Sequence, residues 1–427
     1  MSEGNIVLSG TDRECFDIHM NDVKFVVFEK LNNLNVEEKR RLSNSDILQD
    51  GRNFVEETEA MRIRNECDDD LKSFMMDGIY RLMAAYYLIY NGSYPGEENY
   101  NHFMECQAFI LHLDEIRKDL LAVETPEPSR RIGIHDKFKQ YTRMSEKQFR
   151  FLLDSVGPII EKSITRRDVI PPASRLLITL HYLATGESFS SIARLYLIGT
   201  STASQIIKET TDVIWNKLHQ LYILFPIDWE AESEKWGNFH RLPHCVGAVD
   251  GKHVRIQKPP HSGSLYFNYK KYFSIVLLGV CDADANFIFV SIGAPGSLSD
   301  VTVWNNTELG LDLAAGNIEF PPDKLLPNSN VSFNYFFIGD EAFPLSKNLL
   351  RNYSGRNLSA DKENFNKRLS SARNTIERAF GILSNRFRVF RNEISVEPQF
   401  AISIVKCCIV LHNFIRKTAD KETPIFE

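Results

Sequence analysis

Cys245-Val246-Gly247-Ala248-Val249-Asp250-Gly251-Lys252-His253-Val254 is the stretch on which the reading of this chain turns. Apolar residues lead up to Asp250, and Gly251 follows it. A Val-rich run that ends at Asp-Gly predicts a buried strand running into a turn. Its carboxylate would then sit at the strand's mouth, within reach of a metal or substrate. Two later stretches repeat the pattern of an apolar run and then an acid. Phe336-Phe337-Ile338-Gly339-Asp340 is one; Ile292-Gly293-Ala294-Pro295-Gly296-Ser297-Leu298-Ser299-Asp300 is the other, with a Gly/Pro loop before the acid.

Around these lie further elements of one α/β layout. Phe273–Cys281 reads as a long buried strand and Phe287–Ile292 as its return, with Asp282-Ala283-Asp284-Ala285-Asn286 as the turn. A helix is expected from about Asn364 to Phe390. Phe365, Leu369, Ala372, Ile376, Ala379, Leu383 and Phe387 would form its buried stripe. Glu377 borders that stripe and would point along the seam between helix and sheet.

Upstream, the period changes to that of helices. Ser145-Glu146-Lys147-Gln148 is a capping-box signature, followed by Phe149, Leu152, Leu153 and Val156 on one face. Pro171-Pro172 separates that helix from one ending at Gly186. A short helix over Ser188–Leu195, a connection through Ile198-Gly199-Thr200, and a third helix starting at Ser201 give a helix-turn-helix layout. Small Ser201 and Thr202 at the third helix's start would let its backbone approach a phosphate, with Lys208 a turn or two on. A plain helical bundle gives the same pattern. Residues 71–91 and 103–121 also read as helices, with a linker at Thr125-Pro126-Glu127-Pro128-Ser129.

Three regions follow: an acidic region over 1–130, helical or partly disordered; a helical region over 131–235; and the α/β region over 240–420. The net charge of −6 hides an asymmetry, since residues 1–130 carry −12 and the rest +6. The basic part is where a nucleic-acid enzyme would keep its binding surface, although an acidic N-terminal region is equally read as merely solvated. With 43% hydrophobic and 25% charged residues the composition is that of an ordinary globular protein. No run of about 18 apolar residues is seen, and no secretory signal is expected. Seven scattered Cys fit free thiols in a reducing compartment. Cys245, Cys281, Cys407 and Cys408 read as core residues, as do His253 and His412, which have no partner at metal-like spacing.

Taken in order, Gly247-Ala248-Val249-Asp250-Gly251-Lys252-His253, Asn268-Tyr269-Lys270, Gly296-Ser297-Leu298-Ser299-Asp300, Gly339-Asp340-Glu341-Ala342-Phe343-Pro344-Leu345, Arg373-Asn374-Thr375-Ile376-Glu377-Arg378-Ala379-Phe380-Gly381 and Leu411-His412-Asn413-Phe414 resemble the PIF/Harbinger transposases and the Harbinger transposase-derived nucleases of animals. The resemblance covers about residues 140–416 and does not reach 1–130. It implies an α/β fold: an RNase H-like mixed sheet flanked by helices as a DDE nuclease core, preceded by an all-α helix-turn-helix region. It also implies that Asp250, Asp300, Asp340 and Glu377 hold divalent metal, Mg²⁺ or Mn²⁺, and that Asp250, Asp340 and Glu377 are catalytic. Such chemistry calls for acids, because two divalent ions about 4 Å apart stabilise the attacking and leaving oxygens of a phosphodiester. Mg²⁺ takes carboxylate oxygen.

Each acid also has a plainer reading. Asp250 could be a turn former, Asp300 a helix cap, and Glu377 an ion pair with Arg373; Glu341 could replace Asp340. Arg378, Arg386, Arg388 and Arg391 would hold a DNA backbone or form a solvated face. Three functions stay open: a metal-dependent DNA endonuclease or transposase, a transposase-derived DNA-binding protein without cleavage, and an RNase or other phosphodiesterase on the same fold. The resemblance adds DNA and a Myb-like DNA-binding protein as partners, with the nucleus, and also the cytoplasm, as location. No membrane is expected, and the oligomeric state is open.

Overall fold

The computed structural model describes residues 134–162, 170–226 and 228–419. The expected helices over 71–91 and 103–121, the linker at 125–129 and the acidic region over 1–130 lie outside the described residues.

Before the sheet come α1 (Ile134–Thr142), α2 (Glu146–Ile160), α3 (Pro172–Thr185), α4 (Phe189–Leu195), α5 (Thr200–Tyr222) and α6 (Trp229–His240). The capping box at the start of α2 is complete. Ser145 accepts from the Gln148 N–H, and the Gln148 side chain accepts from the Ser145 N–H, so two otherwise orphaned donors are satisfied reciprocally. Residues 141–161, 172–189 and 203–419 belong to one compact unit, which holds the whole sheet.

The sheet is built from β1 (Cys245–Arg255), β2 (Ser274–Cys281), β3 (Phe287–Pro295), β6 (Phe336–Ile338) and β7 (Leu349–Leu350), in the order β3-β2-β1-β6-β7. The first three strands form an antiparallel meander, as expected. β6 and β7 then join in parallel. A small separate ribbon pairs β4 (Lys324–Leu325) with β5 (Ser332–Phe333). On one face pack α7 (Asp300–Asn305) and α8 (Glu308–Ala315), whose Val303, Trp304, Leu309 and Leu313 share a core with Val249, Leu278, Val280 and Phe337. On the other lie α9 (Ala360–Arg386) and α10 (Pro398–Lys417), joined by a 3-10 turn over Arg388–Arg391. Asn413 of α10 accepts from the Phe287 N–H and donates to its carbonyl, tying α10 to β3.

The strand reading needs one correction. Asp250-Gly251 is not a turn: β1 runs through it to Arg255, with Asp250 opposite Gly279 and Gly251 opposite Leu278. β2 pairs with β1 from Ala248 through Arg255, and pairing satisfies backbone groups that a turn would have left to solvent. The mouth beside Asp250 arises from β6 instead. That strand leaves the sheet at Ile338, opposite Ala248, and uncovers one flank of β1.

Among the described residues, α10 is the one helix long and apolar enough to cross a membrane, and most of it is buried within the fold. Its apolarity is that of a core helix. Cys245, Cys281, Cys407 and Cys408 are buried free thiols, as expected.

Candidate active site

Parallel pairing decides where the first two acids lie. Ala248 is paired with Ile338; Asp250 follows two residues later within β1, and Asp340 two residues later, just past the end of the parallel strand β6. Both are partly buried. Each carboxylate is steadied by a local amide. The Gly251 N–H donates to Asp250 Oδ1 at 2.9 Å, and the Ala342 N–H donates to Asp340 Oδ1 at 2.9 Å.

The face of Asp250 follows from its partner. Directly opposed residues of an antiparallel pair project to the same side. A methyl group on Gly279 would meet the Phe380 ring of α9 at 3.4 Å, so Asp250 projects to the α9 face. Asp300 comes from the other direction. A methyl group on Gly251 would fall 2.0 Å from Asp300 Oδ1, so that carboxylate lies against the strand where residue 251 projects, on the α7 side. Only a glycine leaves room for this approach. The cap reading of Asp300 is corrected too. Ser299 is the N-cap of α7, accepting from the Thr302 N–H, and Asp300 is the first helical residue.

The three aspartates share one field. Burial pushes the Asp250 carboxyl up to about 6; the Gly251 N–H and the Arg373 charge oppose this, and Asp300 and Asp340 reinforce it. Burial also raises Asp300, with Asp340 adding to it and Lys270 opposing it. These are the signs expected of carboxylates crowded out of water beside like charges. Among the described residues, however, no three acidic, His or Cys side chains close to the spacing a shared ion imposes.

Glu377 sits on α9 with a half-exposed side chain, not tucked into the helix–sheet seam as expected. Arg373, one turn earlier, donates to its Oε1 at 2.8 Å. The same guanidinium acts on Asp250, so it stands between the two acids electrostatically. Its Nε is buried without a partner. The ion-pair reading of Glu377 is therefore what this structure contains. Arg373 was legible in the sequence only as that helix-face partner, because nothing in the local pattern says that α9 packs beside Asp250.

The nucleic-acid candidates divide by burial. Ser201, Thr202 and Lys208 are exposed on α5, and Arg378 and Arg388 are exposed on and just beyond α9. Arg386 is turned into the fold, donates weakly to the His412 carbonyl at 3.5 Å and has its pKa lowered to about 10 by burial. That takes it out of the set of free phosphate contacts. The His412 Nε2–H donates to the Ala285 carbonyl at 2.9 Å, and His253 Nδ1 lies 2.9 Å from Ser274 Oγ, so both histidines have structural partners.

The donor set fits a hard divalent cation: oxygen only and, for the three aspartates, partly buried, with Arg373, Lys252 and Lys270 as neighbouring positive charges. Residues 249–413, which begin one position before Asp250, match the family model described as DDE superfamily endonuclease. An ALP1-like protein of Arabidopsis thaliana is 29% identical over 251 residues, 58% of this chain and 61% of that protein, which is less than two thirds of it. Putative nuclease HARBI1 of Rattus norvegicus is 26% identical over 269 residues, covering 62% of this chain and 72% of that protein. The Arabidopsis protein named antagonist of like heterochromatin protein 1 is 24% identical over 303 residues, 66% of this chain and 74% of that one. No solved structure matches the chain. Residues 249–413 thus match a DDE superfamily endonuclease domain, and the chain is similar to an ALP1-like protein and to putative nuclease HARBI1.

Proposed function

We propose that this protein is a divalent-metal-dependent DNA endonuclease of the Harbinger type on an RNase H-like core. The observation that carries the reading is that Asp340, just past the end of β6, acts on the carboxyl of Asp250 on the neighbouring parallel strand β1, within residues that match a DDE superfamily endonuclease. α9 packs on the face that Asp250 occupies, and its Arg373, which donates to Glu377, also acts on Asp250. In this reading Asp250, Asp340 and Glu377 would hold Mg²⁺ or Mn²⁺, with Asp300 supporting from the opposite side of β1. The metal supplies charge stabilisation for the oxygens of the scissile phosphodiester and a more acidic water. The chain's own contribution is to fix the carboxylates. The Gly251 and Ala342 amides orient two of them, and Arg373 must release Glu377 for the third to join.

Ser201, Thr202 and Lys208 on α5, read with α4 as a helix-turn-helix, would each meet DNA phosphate, as would Arg378 and Arg388 in their own right. A nuclear location, with cytoplasm as well, and a Myb-like DNA-binding partner belong to the same reading. The Arabidopsis relative named as an antagonist of a heterochromatin protein supports the idea of protein partners. A second reading, DNA binding without cleavage, is favoured by the Arg373–Glu377 pair, which occupies one of the would-be ligands. Labelled DNA and RNA incubated with Mg²⁺, with Mn²⁺ and with chelator distinguish these readings. Metal-dependent cutting of DNA alone is expected; cutting of RNA alone, or binding of DNA with no cutting under any metal, would overturn the proposal.

A further inference from the structure

The loop joining β1 to β2 has chemistry that the carboxylate site does not account for. From Gly251 to Cys281 there is no Asp or Glu, while Lys252, Arg255, Lys258, Lys270 and Lys271 all fall within it. Large apolar side chains are exposed in the same loop: Tyr269 is 80% exposed, Leu265 50% and Phe267 41%. Cations and rings alternate there, with Lys270 over Tyr269 at 5.4 Å, Arg255 over Tyr272 at 5.8 Å and Lys258 over Phe273 at 5.7 Å.

The loop is held rigidly. Asn268 is buried, accepts from the Tyr272 N–H and donates to Ser274 Oγ at 2.9 Å, closing a tight turn over 268–272. The Ser297 N–H donates to the Leu265 carbonyl and the Gly296 N–H to the Ser274 carbonyl, which fastens the loop to the segment leading into Asp300. The His253 ring meets Tyr269 edge-on at 5.5 Å. Exposing a tyrosine on a turn built this firmly brings the fold no burial energy, so the ring is presented outward. Its neighbour Lys270 acts on the Asp300 carboxyl, which puts the turn beside the acids.

Resting on the nuclease reading, we propose that the 268–272 turn is a clamp for an unpaired nucleotide next to the scissile phosphate: Tyr269 stacks on the base and Lys270 meets the adjoining phosphate. Exposed rings interleaved with cations along a stretch with no acid of its own match single-stranded nucleic acid, since every base offers a face for stacking and every link a negative charge. A duplex keeps its bases stacked on one another and offers no face to Tyr269.

Binding of a single-stranded oligodeoxynucleotide containing 2-aminopurine tests this, with the full chain in chelator so that nothing is cut. The wild type should quench the probe. Tyr269→Ala should abolish the quench and weaken single-strand affinity about tenfold or more, with duplex affinity unchanged. Tyr269→Phe should retain both quench and affinity. Lys270→Ala should lower the salt slope of single-strand binding by about 0.7. If Tyr269→Ala binds single strand as the wild type does, or loses single strand and duplex alike, the clamp is refuted. A wild type that stacks the probe yet never cleaves with metal refutes the nuclease reading alone. Undiminished cleavage and single-strand affinity in Tyr269→Ala refute the clamp alone.

Discussion

Asp250 is held in the fold at an electrostatic cost. Its carboxyl is pushed from the ordinary range up to about 6, burial being the largest cause. A carboxyl raised in the folded state favours folding when protonated. That contribution is fully present below about pH 4 and is lost as pH rises through about 6. Each pH unit between those values is worth about 1.4 kcal/mol at most. Asp250→Asn should therefore stabilise the metal-free protein at pH 7 and flatten its stability between pH 4 and 6, read by thermal denaturation across that range. Asp282, also raised to about 6 by burial, keeps part of the slope in the variant and serves as its internal control. No gain at pH 7 would mean that the carboxylate is well solvated after all.

Asp300 is the residue whose role the geometry changes most. Because Ser299 caps α7, the effect of Asp300→Asn on cleavage reports on the carboxylate and not on a lost cap. Its position on the far side of β1 from Asp250 predicts a supporting role. Single-turnover cleavage should fall about 10- to 100-fold in Asp300→Asn, the range for groups acting through a ligand. Asp250→Asn, Asp340→Asn and Glu377→Gln should abolish it. An equal loss in all four variants would make Asp300 a full ligand.

At the scale of elements, α2 and α5 make separable predictions. Ser145→Ala removes one half of a complete capping box and should cost about 1 kcal/mol of stability, with no effect on DNA affinity at a temperature where the fold persists. Lys208 is exposed on α5. Lys208→Glu should weaken DNA binding and reduce its salt dependence if that helix meets phosphate; an unchanged affinity and slope would leave α5 as scaffold. The two substitutions act in opposite ways, one on stability alone and one on binding alone.

For the molecule as a whole, a metal that binds the folded chain and not the unfolded one must raise its stability. At a hundred times the dissociation constant the gain is about 2.7 kcal/mol. Mn²⁺ should therefore raise the melting temperature of the wild type, and this rise should vanish in Asp250→Asn and Asp340→Asn. The same rise in all three proteins would place the metal elsewhere.

The sequence by itself determined several of the strands and helices, among them α2, α3, β2, β3 and α9, because period-two and period-3.6 patterns, the Ser145 box and the turn between β2 and β3 are local features. It also determined the order of the acid-bearing motifs. It misread Asp250-Gly251 as a turn, because what keeps β1 going is β2, whose pairing partners lie 19 to 33 residues away. Only the tertiary structure decided that Asp340 follows a strand paired in parallel with the Asp250 strand, since that register is set by hydrogen bonds between segments some ninety residues apart. It alone turned Arg386 inward, set Arg373 between Glu377 and Asp250, and seated Asp300 against Gly251. Each of these is an approach between elements distant in the chain, governed by packing and field, to which a local pattern is blind.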